Sequence, residues 1–201
     1  MNSRVFSQVG GLMPPRSVFD LSYDKKFTCD MGELVPVMCD EVVPGDTFKI
    51  NNQVVIRMQP MLAPMIHEVN CYVHYFFVPY RLLWSKWESF ITGGEDGQDA
   101  SILPRAGASS TDTLVHSVWD YLGFPTGVIP DLDNSPLAFP FQAYVKIWNE
   151  FYRDQNLQDE LELDYDLSGA TPISEIVKSG NYTFTRLLHI VTGKQIGRAH
   201  V

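Results

Sequence analysis

The chain has 201 residues, a formal net charge of −9, 45% hydrophobic and 12% aromatic residues, 13 prolines and 14 glycines. That length and apolar content suffice for one domain with a substantial core, and the proline and glycine load suits a loop-rich β protein. The acidic balance argues against a general nucleic-acid binder, whose affinity comes from cations that neutralise phosphate.

Residues 1–30 mix Pro14-Pro15 with scattered charge, lack the period of a packed element and read as an extended arm. Residues 32–80 differ: short β-branched and aromatic runs alternate with proline and glycine, and no helical period appears. Residues 35–39, 47–50, 54–58 and 69–78 read as strands. Pro44-Gly45-Asp46 and Asn51-Asn52 are turn signals, because proline presets φ while glycine and asparagine accept positive φ. Strands this close in sequence predict an antiparallel sheet, since parallel pairing needs long crossovers. In 69–78, Val69, Cys71, Val73, Tyr75 and Phe77 share one face, and Tyr72, Phe76 and Val78 keep the other largely apolar. A strand apolar on both sides belongs inside a sandwich.

The pattern then turns helical. Residues 81–91 carry Leu83, Trp84, Trp87, Phe90 and Ile91 at helical spacing and stop at Gly93-Gly94. Residues 92–110 are small, polar and glycine-rich, an expected exposed loop. Thr111 or Asp112 can cap a second helix running to Leu122, with Leu114, Val115, Val118 and Leu122 on one face and Gly123 and Pro125 ending it. Residues 124–139 read as another loop. A third helix starts at Pro140, suited to the first turn, and runs to about Asp154 with Phe141, Tyr144, Val145, Trp148, Phe151 and Tyr152 on its apolar face.

Catalytic and metal chemistry find no support. His67, His74, His116, His189 and His200 show no metal-ligand spacing, and none pairs with cysteine in a zinc pattern. Asp40-Glu41 on a strand point to opposite faces, poor geometry for an acid–base pair. Gly193-Lys194-Gln195 lacks the first glycine and the hydroxyl of a phosphate loop. Cys29, Cys39 and Cys71 are odd in number and widely spaced, which fits free thiols better than a disulfide framework. No apolar run approaches the roughly 20 residues that span a bilayer, and the N-terminus carries no secretory signal. The expectation is a protein that is not an enzyme and takes no cofactor or metal. Trp, Tyr and Phe are enriched at interface centres, so Trp87, Trp148, Phe151 and Tyr152 are candidate subunit contacts, Trp148 foremost, with a core role as the alternative for each.

One set of residues carries a resemblance. Leu34-Val35-Pro36-Val37, Asp40 to Phe48 (DEVVPGDTF) and Tyr75 to Trp84 (YFFVPYRLLW) resemble the major capsid protein of microviruses, nearest to the Gokushovirinae, bacterial viruses with single-stranded DNA. Arg16 to Ser22 before them, and Trp87 to Gly94, Asp120 to Pro125 and Ile147 to Leu157 after them, match in the same order, so the resemblance covers roughly residues 16–158. It implies a mainly β fold with helical and loop insertions, a partial viral jelly roll built on an antiparallel β-sandwich. The expected organisation is an arm (1–30), the first jelly-roll strands (31–80), a helical and loop insertion (81–170) and a tail (171–201).

The same resemblance implies a subunit that self-assembles into a small icosahedral, T=1-like shell, located in the virion and assembled in the bacterial cytoplasm. Implied partners are further copies of the chain, a small basic DNA-associated protein, a pilot protein, the packaged single-stranded DNA indirectly and a host cell-surface receptor, with no membrane insertion. Arg16, Lys25 and Lys26 are candidates for a local cationic patch. A β-sandwich carbohydrate- or receptor-binding module is the alternative, because jelly rolls also host lectins. Family members are much longer than this chain, and Ile196 to Val201 are what a common sequencing adapter encodes. The expectation is a fragment whose last six residues are read-through.

Overall fold

The computed structural model describes residues 15, 17–60, 62–63, 66, 68–131, 134–172, 176–177 and 187–190. Regular structure begins where the proline-punctuated segment ends. Pro79 is extended (φ −71°, ψ 140°), and Tyr80–Leu82 form a 3-10 turn. Helix α1 (Trp87–Thr92) follows and stops at Gly93, whose φ of 84° suits glycine and whose N–H donates to the Ser89 carbonyl at 2.8 Å. The helix and its stop are as expected, with a later start. Leu83 and Trp84 lie ahead of α1 and are buried, while Phe90 and Ile91 remain exposed.

Residues 92–110 are not simply an exposed loop. Strand β1 (Arg105–Gly107) lies within them and pairs in parallel with β2 (Ala170–Pro172), Arg105 opposite Ala170. The Ala106 N–H donates to Pro136 at 2.8 Å, and the Ala138 N–H donates to Pro104 at 2.9 Å, so part of the second expected loop is drawn in as well. Small side chains allow this close backbone approach. They also leave no apolar alternation by which the strand can be recognised.

Helix α2 is only Val118–Tyr121, with Ser117 as its N-cap, accepting from the Asp120 N–H at 3.3 Å. A start at Thr111 or Asp112 is corrected for two reasons. The Asp112 carboxylate folds back to the Ser109 N–H at 2.9 Å, making a turn, and His116 has φ 65°, which interrupts any right-handed helix. Leu114 and Val115 are consequently exposed. Helix α3 (Phe139–Ile147) carries Pro140 in its first turn and passes into a π turn (Trp148–Tyr152), which the Arg153 N–H closes onto the Trp148 carbonyl at 2.8 Å.

The core forms around α2 and α3. Val118, Trp119, Tyr121, Phe141, Tyr144, Val145 and Trp148 pack with Leu163, Leu167, Ile176, Leu187 and Leu188, and a second cluster joins Leu83, Trp84 and Phe139. Tyr144 stitches chain-distant segments to it: its hydroxyl donates to Leu34 and accepts from the Leu188 N–H, each at 2.8 Å. Ile176, Val177, Leu187 and Leu188 of the tail belong to the core; residues 196–201 lie outside the described residues.

The sheet region departs most from expectation. Residues 35–39, 47–50, 54–58 and 69–78 carry no ladder, and the two-stranded parallel β1–β2 pair is the sheet among the described residues. The turn at Pro44-Gly45 forms, with the Asp46 N–H donating to Val43 at 3.1 Å; Asn51-Asn52 forms none. A strand exists only through its partners, and pattern alone supplies none. Among the described residues no helix is long and apolar enough to cross a membrane.

Candidate subunit interface

Among the described residues, the segment without ladders carries many of the exposed large apolar side chains. Val43, Ile50, Val54, Val55, Ile56, Tyr72, Tyr75 and Phe77 are all exposed, Phe77 to 77%. Exposed apolar side chains in this number make the segment a candidate contact surface.

Its last run, 69–78, lies against the end of α3. The His74 Nδ1 and the Tyr152 hydroxyl are 2.5 Å apart, with the two rings stacked at 5.9 Å. Phe76 meets Phe151 at 4.8 Å between ring centroids. Beside this aromatic contact runs a groove of about 130 Å³ walled by Phe76, Phe77, Val78, Leu82, Ile147 and Phe151, with Lys146 and Glu150 at its rim. Those two form an ion pair at 2.7 Å one helical turn apart, and the Glu150 hydrogen bond holds the Lys146 ammonium above its usual range. Burial raises the Tyr152 phenol.

The four sequence candidates separate. Trp148 is a correction: it is 3% exposed in the intramolecular core, and its indole N–H donates to the His189 carbonyl at 3.2 Å, so it offers no face to a neighbour. Trp87 is half-buried against Tyr80 and Phe139. Tyr152 is half-buried under His74, and Phe151 is 63% exposed. Phe76, Leu82 and Ile147 join the site unforeseen; only the contact across the chain, from 76 to 151, assembles them. The cationic patch on the arm also changes. Lys25 gives its ammonium to the carbonyls of Pro36 (3.0 Å) and Tyr121, Lys26 is exposed, and Arg16 lies outside the described residues. Among the described residues no group of three or more His, Cys, Asp or Glu side chains is placed to hold a metal.

Comparison with known proteins finds likenesses along most of the chain. The sequence model of the family described as capsid protein (F protein) matches residues 7–187. Capsid protein VP1 of Chlamydia phage 1 is 38% identical over 164 residues, 78% of this chain and 27% of its own length. Capsid protein VP1 of Bdellovibrio phage phiMH2K is 34% identical over 158 residues, 78% of this chain and 29% of its own. That of Spiroplasma virus 4 is 29% identical over 176 residues, 85% and 31% respectively. The chain thus spans less than a third of the length of these relatives.

Proposed function

We propose that this chain, which belongs to the capsid protein (F protein) family, acts as a major capsid subunit of a bacterial virus with single-stranded DNA. Copies associate through the apolar segment 42–77 and the Phe76–Phe151 groove into a small icosahedral, T=1-like shell. The observation that carries this reading is the division of the chain: α2 and α3 close a buried core, while the described residues within 42–77 present many apolar side chains outward and have no ladder partner among the described residues. Such a segment is stable when strands and side chains from elsewhere cover it. In this reading it enters an antiparallel jelly roll, with the α2–α3 region as an insertion beside the sandwich.

The role is structural, with no reaction catalysed; repeated contacts of modest strength close a symmetric container. This chain, at net charge −9, does not itself neutralise DNA by bulk electrostatics, which supports packaging through a separate basic protein. A pilot protein, a host surface receptor, the virion location and assembly in the host cytoplasm complete the proposal.

The test is a chimera in which this sequence replaces the matching region of the Chlamydia phage 1 capsid protein. Closed particles of uniform diameter in electron micrographs are the expected result. A folded, soluble chimera that forms no particles, or that binds glycans as a monomer, overturns it.

A further inference from the structure

We propose that residues 23–29 form a releasable strap across the C-terminal end of α2, held by point contacts of Lys25, Phe27 and Tyr121 and able to leave without unfolding the core. Among the described residues, 17–29 make no backbone–backbone hydrogen bond; the first such ties in this region come from Gly32 and Leu34. Side chains hold the segment instead. The Lys25 ammonium bridges the carbonyls of Pro36 and Tyr121, at the negative end of α2. The Tyr23 hydroxyl donates to Val37 at 3.3 Å, and Phe27 meets the Tyr121 ring edge-on at 6.0 Å. The Tyr121 hydroxyl donates to the Thr28 carbonyl. The His116 Nδ1 lies 3.1 Å from the same phenol oxygen.

Holding the strap has an opposing cost. Burial draws the Lys25 ammonium below its usual range, against the pull of Asp120, so release returns the charge to water. Between strap and helix lies a groove of about 300 Å³ lined by Tyr23, Lys25, Val37, Cys39, Tyr121 and Leu122, so the strap covers α2 loosely. Upstream, Val18 and Phe19 already stand free of the subunit, at 99% and 77% exposure. Residues 23–29 are absent from the core cluster, and Tyr121, a member of it, meets the strap through its hydroxyl, its ring and the carbonyl that Lys25 holds. The strap thus decides whether the end of α2 is covered by the subunit's own arm.

The test is chymotryptic cleavage after Phe27 in the intact chain, followed beside the near-ultraviolet signal of the core tryptophans. Where opening is fast, cleavage tracks the population of the open strap. Lys25→Met removes charged hydrogen bonds and is expected to speed cleavage at least about tenfold; Tyr121→Phe removes one neutral bond to the strap and gives about fivefold. The tryptophan signal stays unchanged in both. Unchanged cleavage in both variants overturns the strap, as does cleavage that rises only in step with loss of the tryptophan signal. Should Lys25→Met fail to fold, Tyr121→Phe, which keeps the buried ring, decides alone.

Discussion

Trp148 and Phe151 are a single helical turn apart in sequence and face opposite environments. A helical period places both on one stripe with Tyr152, and by that pattern either can be core or contact. The π turn separates them: its wider winding leaves Trp148 in the core, its indole N–H on the His189 carbonyl, while Phe151 turns out beside Phe76. Trp148→Ala should therefore cost about 3–5 kcal/mol of stability, read as a lowered melting temperature of the isolated chain. Phe151→Ser should shift melting by less than about 0.5 kcal/mol yet weaken concentration-dependent association in sedimentation.

Tyr121 offers a second residue-level test. Its phenol is pushed up to about 12, by burial first and then by Glu33, Cys29, Asp120 and Asp30. An acid whose folded value lies above its unfolded value of about 10 keeps its full contribution below that unfolded value. It loses that contribution as pH rises from about 10 toward about 12, on the order of 2 kcal/mol in total. Denaturant midpoints should fall across that window. Tyr121→Phe should make the fall shallower without abolishing it, because Tyr23, Tyr80 and Tyr152 shift in the same direction. A midpoint slope unaltered by the substitution would count against the buried phenol.

At the level of elements, caps decide where helices stand. Ser117 caps α2 and also donates to the Leu114 carbonyl at 2.6 Å, so Ser117→Ala should destabilise by about 1–2 kcal/mol in thermal melts. A neutral result would mean that packing of Val118 and Trp119 alone holds the helix. Elements with local signals were legible: the stop of α1 at Gly93, the proline-led start of α3 and the Pro44-Gly45 turn each rest on residues within one turn of one another. The β1–β2 pair was not, because Arg105-Ala106-Gly107 has no apolar alternation and its partner lies beyond α3. The helix expected from Asp112 failed on side-chain competition, a carboxylate that bonds Ser109 in a turn.

Across the whole molecule, the aromatic-rich helical pattern and the β-branched runs were both visible, and the surprise is which of them holds the core. Burial gathers on α2, α3 and the chain that returns through Leu163, Ile176 and Leu188, while the described apolar residues between Val42 and Phe77 lie outside it. Periodicity reports that a face wants cover; it does not say from where the cover comes. The candidate site was half-legible for the same reason: Phe151 and Tyr152 sit on a readable stripe, but Phe76, Leu82 and Ile147 join them only through a contact between distant segments.

The central claim, that the apolar runs within 42–77 are covered by strands and side chains from outside this chain's own core, other copies among them, meets its most direct test in hydrogen exchange measured over a range of chain concentrations. The account predicts amides in 42–77 that exchange freely at low concentration and gain protection as the chain associates, while those of α3 stay protected throughout. Protection of 42–77 already present in a monomer, and independent of concentration, would contradict it.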